Sequence, residues 1–121
     1  MTMRTMLLAG AGLLALAPPA AAQNVGGRYE VQGTNFDGTP YRGVAEITVT
    51  SRNTCRIVWQ TGNTSSRGIC MRNNNAFTAA YSMKGKVGLV IYQVMNDGSL
   101  QGLWTIADTN GVGRETLVPV R

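Results

Sequence analysis

Few side chains of this sequence could do chemistry, and Cys55 and Cys70 come first among them. They are its only two cysteines, and their spacing is not the C-x-x-C of a redox couple. A structural disulfide is the expectation. Histidine is absent, which removes the usual proton shuttle at neutral pH and every Ser-His, Cys-His or His-metal arrangement. Among the six acids, Glu46 and Glu115 are the least tied to turns, but nothing unites them as the carboxylate pair of a glycosidase. Asp37 and Asp97 each precede a glycine, yet neither lies in a D-x-D-x-D-G calcium loop. No catalytic residue, metal or cofactor is expected, and the chain reads as a non-enzyme. Trp59, Tyr81 and Trp104 are the candidates for lining an interior ligand pocket, if the interior is hollow.

The elements that must position these residues follow a leader. Arg4 precedes an apolar run from Met6 to Ala17, then Pro18-Pro19 and Ala20-Ala21-Ala22. That is the pattern of a signal peptide over residues 1–22, cut before Gln23. The run is too short for a spanning helix, which needs about 20 residues. Export to the periplasm or beyond is expected, an oxidising setting that suits the disulfide. Residues 23–121 then form a single domain.

In that domain, short apolar or alternating runs are punctuated by Gly, Asn and Asp. The runs lie near 28–32, 41–50, 54–61, 66–72, 76–82, 87–95, 99–106 and 114–120. Eight strands at roughly ten-residue spacing predict an all-β fold, a small eight-stranded antiparallel meander barrel or a barrel-like sandwich.

Register can be read from the turns. A loop at Ser51-Arg52-Asn53 sets Val49 against Cys55, Ile47 against Ile57 and Ala45 against Trp59. With Cys55 facing Cys70, Ile57 falls opposite Gly68 and Trp59 opposite Ser66. The apolar residues then share one face, as a half-buried antiparallel sheet requires. Downstream, Asp97-Gly98 reads as a two-residue type I′ turn, which pairs Met95 with Leu100 and Ile91 with Trp104. In that register Val87, Leu89, Ile91 and Met95 face the core with Leu100, Gly102, Trp104 and Ile106. Val90, Tyr92 and Val94 fall outside with Leu103, a candidate contact surface for a protein partner or a homodimer. Gly43, Gly68, Gly88 and Gly102 interrupt strands, at sharp bends or beneath large rings. With about 99 residues in eight strands, the interior is expected to be filled by side chains.

After residue 22 the chain carries ten basic against six acidic residues, a net +4. The basic residues are scattered rather than set in a stripe with stacking aromatics, so nucleic acid is not an expected partner. No membrane span is expected after leader cleavage.

Several segments carry a family resemblance. Residues 27–35 (GRYEVQGTN), 55–62 (CRIVWQTG), 68–73 (GICMRN), 88–92, 97–106 and 115–117 resemble a group of small exported proteins of Gram-negative bacteria. That group is mostly uncharacterised, and some members carry the label fibronectin-binding protein. The resemblance covers nearly the whole chain after the leader and implies no catalytic residues. It implies a non-catalytic binding protein that engages a host or envelope macromolecule through an exposed β face. The chain also looks generically like calycin barrels such as avidins and lipocalins, without their ligand-binding motifs. A small-ligand carrier of that kind is the alternative. A periplasmic enzyme inhibitor acting through the loops at Asn73-Asn74-Asn75 or Gly62-Asn63 is another.

Overall fold

Turn chemistry divides the chain into β1 (Gly27–Thr34), β2 (Pro40–Val49), β3 (Thr54–Thr61), β4 (Thr64–Asn73), β5 (Ala76–Met83), β6 (Lys86–Val94), β7 (Leu100–Ile106) and β8 (Gly113–Pro119). A computed structural model describes residues 24–121, so the leader assigned to 1–22 lies outside the described residues. Each strand pairs antiparallel with the next, and β8 pairs with β1. The sheet therefore closes into a meander barrel. Closure leaves no unpaired strand edge, which an open sandwich would retain.

The tight turns follow their residues. Gly62 takes positive φ (59°) at the first central position between β3 and β4, as a type II′ turn requires. Between β5 and β6, Lys84 and Gly85 both take positive φ (51° and 80°), the type I′ pattern. On β2–β4 the registers are those expected: Val49 faces Cys55, Ile57 faces Gly68 and Trp59 faces Ser66. Cys55 and Cys70 are directly opposed and disulfide-bonded, with Cα atoms 4.9 Å apart.

The β6–β7 hairpin departs from expectation by one residue. Val94, not Met95, faces Leu100, and Val90, not Ile91, faces Trp104. The turn is not type I′, because Gly98 has positive φ (88°) and Asp97 does not. Instead Gly98 N–H donates to Met95 O, Met95 N–H donates to Ser99 O, and Asp97 Oδ1 accepts from both Ser99 N–H and Ser99 Oγ–H. This is a three-residue loop with a glycine bulge, held by the aspartate side chain. A one-residue slip reverses every side chain of the strand. Val90, Tyr92 and Val94 accordingly lie buried inside the barrel, which corrects their assignment to a contact surface. Val87, Leu89 and Ile91 point to solvent instead, while Leu103 lies outside as expected. The loop Asn35–Thr39 repeats the same geometry through Asp37, Gly38 and Thr39.

Toward the end that carries the β6–β7 loop, the interior is filled by large side chains. There Phe77 stacks on Tyr92 (centroids 5.7 Å apart), and Leu100 and Leu117 are fully buried. Tyr29 O–H donates to Val25 O at 2.6 Å, which ties the N-terminal approach across that end. The opposite end, carrying the β1–β2, β3–β4, β5–β6 and β7–β8 connections, is hollow.

Candidate functional site: an aromatic cavity with a buried carboxylate

Four hairpins build the hollow end by one rule. Each places an inward aromatic directly opposite a small residue: Tyr41 opposite Gly33, Trp59 opposite Ser66, Tyr81 opposite Gly88 and Trp104 opposite Gly113. A Cβ at Gly33, Gly88 or Gly113 would come within 2.2–2.3 Å of the facing ring. The rings thus lie across bare backbone, which fixes their direction. Gly43, Gly68 and Gly102 have another cause, since a Cβ there would meet a neighbouring strand's carbonyl oxygen at 2.0–2.3 Å. They mark close approach of backbone to backbone at bends.

The four rings surround a cavity of about 320 Å³ that opens to solvent. Trp59 packs on Tyr81 (5.2 Å between centroids) and Tyr41 meets Trp104 edge-on (6.2 Å). Phe36, from the β1–β2 loop, covers Trp104 at 4.6 Å. Asn35, Thr61 and Thr64 add polar atoms to the lining, and Val90 and Met83 contribute apolar surface. Trp59, Tyr81 and Trp104 are the residues singled out as pocket candidates, and all three line this cavity. The expectation of a filled interior holds for the packed end of the barrel and fails at this one. Paired aromatic and small residues leave space that paired large residues would have closed.

Glu115 stands out in the sequence only as an acid outside the turns, with no role, and Tyr41 does not stand out at all. Glu115 projects inward from β8 two positions before the fully buried Leu117, and it lines the cavity. Its carboxylate accepts Tyr41 O–H at Oε1 (2.6 Å), Trp59 Nε1–H at Oε2 (3.0 Å) and a short bond from Tyr92 O–H, also at Oε2. Burial pushes its pKa above the ordinary 4.5, and the three donated bonds oppose that rise. Its alternation with Leu117 was the available signal, obscured because Leu117 and Val118 are both apolar.

The tyrosines feel the same environment. Burial first and the Glu115 charge second raise the pKa values of Tyr41, Tyr81 and Tyr92 well above 10. Tyr81 O–H is held by Thr105 O at 3.1 Å, away from the carboxylate. Trp104 Nε1–H is buried with no partner in good hydrogen-bond geometry among the described residues, yet it lies near enough to the Tyr41 hydroxyl to act on it as a donor and lower its pKa. No cluster of three or more metal-ligating side chains occurs among the described residues.

Outside the barrel, β4, β6 and β7 present Ile69, Met71, Val87, Leu89, Ile91 and Leu103 as a continuous exposed apolar strip. Thr78 and Ala80 on β5 leave a shallow groove along it. An apolar outer strip therefore exists, but Leu103 is the only residue of the expected one that belongs to it. No helix of the described residues is long and apolar enough to cross a membrane.

No family model matches the chain, and no curated protein matches it. Solved structures do match in fold. A redesigned β barrel has a TM-score of 0.71 at 16% identity, covering 80% of this chain and 92% of its own. A redesigned barrel bound to DFHBI scores 0.71 at 20% identity, over 83% of this chain and 99% of its own. A de novo fluorescence-activating β barrel scores 0.67 at 19% identity, over 85% of this chain and all of its own. At these identities the likeness is one of fold alone.

Proposed function

We propose that this chain is a non-catalytic, exported binding protein, periplasmic or secreted, that holds a small molecule in the open end of its barrel. The observation that carries the reading is the 320 Å³ cavity, walled by four aromatic rings and served by one buried carboxylate. Small-molecule sites have that composition: apolar walls with a few fixed polar groups. The mouths of β-barrels are a usual place for them. The structural neighbour bound to DFHBI is compatible with a barrel of this kind accepting a ligand. The leader pattern and the disulfide support export.

Both tryptophans of the chain, Trp59 and Trp104, line the cavity, so intrinsic fluorescence reports on it directly. Titration with 4-nitrobenzyl alcohol, a neutral aromatic quencher, should give saturable quenching. Replacing Thr64 at the lining by Phe should weaken that binding at least about tenfold by occupying the space. Linear, unsaturable quenching identical in both proteins would contradict the reading.

The outer strip favours a second reading, contact through an exposed β face. Its six residues are each between 46% and 69% exposed, a contiguous apolar face of the kind that marks a contact surface. The β5 groove lies between the β4 and β6 ridges, a relief that a second copy of this chain could match by two-fold symmetry. Sedimentation should then find a dimer that Leu89→Asp with Ile91→Asp dissociates. A wild type monomeric at high concentration would remove this reading.

A further inference from the structure

We infer that the cavity selects organic cations, specifically small protonated amines carrying an aromatic or apolar body. The inference rests on the proposed ligand-binding role and names the ligand class. Among the residues lining the cavity, Glu115 is the only charged one. Its carboxylate has about four acceptor positions, and protein donors occupy three. Oε2 takes two donors from the cavity wall and floor, whereas Oε1 takes Tyr41 alone. One acceptor position on Oε1 is thus left for a ligand N–H.

The rings supply the rest of the chemistry. Tyr41, Trp59, Tyr81 and Trp104, from four different hairpins, line the same cavity as its one carboxylate. Aromatic cages of this sort favour cations, because the ring quadrupole attracts positive charge and tryptophan does so best. Among the described residues no lysine or arginine contributes to the electrostatics of Glu115, so none of them compensates the burial of its charge. A ligand ammonium would supply that compensation through a charge-assisted hydrogen bond. Trp104 Nε1–H, which has no partner in good geometry among the described residues, offers a donor to an acceptor elsewhere on the same ligand. A carboxylate ligand meets the opposite: like-charge repulsion from Glu115 in a low-dielectric pocket.

Three probes of one shape separate the outcomes: 4-nitrobenzylammonium, 4-nitrobenzyl alcohol and 4-nitrobenzoate, each followed by tryptophan quenching at neutral pH, where the amine is protonated. The ammonium should bind at least about tenfold more tightly than the alcohol, and the benzoate most weakly. In Glu115→Gln the preference for ammonium over alcohol should collapse to about one. Equal affinity of ammonium and alcohol in the wild type would overturn the cation inference and leave the cavity reading standing. Failure of all three to bind saturably would overturn both. If the Gln variant does not fold, the wild-type ratio decides alone.

Discussion

Glu115→Leu should destabilise the fold by about 3 kcal/mol, which for a domain of this size lowers the melting temperature by roughly 15 °C. Leucine is close to glutamate in volume, so the loss comes from chemistry and not from a void. Tyr41 O–H, Trp59 N–H and Tyr92 O–H would all lose their acceptor at once. Each buried donor left alone costs about 1–3 kcal/mol, and removing the desolvated charge returns part of the total. Tyr92 is fully buried, so water entering through the cavity mouth reaches it least. Urea unfolding followed by circular dichroism measures the difference. A loss below about 1 kcal/mol would mean that the carboxylate is not the hub of the inner polar network.

The same residue sets a pH dependence with a definite sign. Its folded pKa is raised above 4.5, so the folded state holds the proton more tightly than the unfolded chain does. The stability this contributes is fully present below about pH 4.5 and is lost as pH rises through the folded value. The groups facing Glu115 are the phenols of Tyr41, Tyr81 and Tyr92, all still protonated over that range. Asp37 and Asp97 run the other way. Hydrogen bonds to Thr39 and Ser99 lower their pKa values, so their stabilisation of the two glycine-bulge loops is lost as pH falls through the folded values, below 3.8. Wild type should therefore lose stability on rising from mildly acidic to neutral pH, and Glu115→Gln should lose less.

Removing the disulfide comes next in size. Cys55→Ser with Cys70→Ser should destabilise the protein by about 3 kcal/mol, since the bridge closes a loop of 15 residues. The effect falls on the unfolded chain, which regains the freedom that the bridge withheld. Both sulfurs are buried opposite one another in the ladder, so two small hydroxyls also replace buried apolar atoms. Denaturation of the oxidised and the double-Ser proteins gives the difference, and thiol titration of the folded wild type should find no free sulfhydryl. Equal stability of the two, or two reactive thiols in the wild type, would contradict the account.

The strand count, the meander and the register of β2, β3 and β4 were legible because two independent patterns agreed. The cysteine pair and the alternation of Ala45, Ile47, Ile57 and Trp59 demanded the same pairing. At β6 only one pattern was available, and it was degenerate. Residues 87–92 are apolar on both faces apart from Gly88, so nothing in the strand itself contradicted a slipped register. The choice then fell on the turn, and Asp-Gly serves a two-residue type I′ turn and a three-residue bulged loop alike. Asp97 favours the bulged loop through its bonds to Ser99, as Asp37 does through Thr39, so the hydroxyl residue after Asp-Gly was the signal left unread.

The site was half legible for a related reason. Trp59, Tyr81 and Trp104 stand out by type, and their inward direction follows from alternation. Tyr41 and Glu115 gain their roles only on closure, when β8 returns beside β1 and brings Glu115 to Tyr41 across 74 residues of sequence. No local spacing encodes that meeting. Three of the small residues opposite the rings are glycines and the fourth is Ser66, yet their pairing with particular aromatics needed the registers of all four hairpins.

The two indole N–H signals of Trp59 and Trp104 in a ¹⁵N-resolved NMR spectrum test most directly whether the hollow end of the barrel holds a small ligand. On titration with 4-nitrobenzylammonium both indole signals should shift saturably with a common dissociation constant, while amides of Leu89 and Ile91 on the outer strip stay in place. Stationary indole signals, or shifts confined to the outer strip, would contradict that reading.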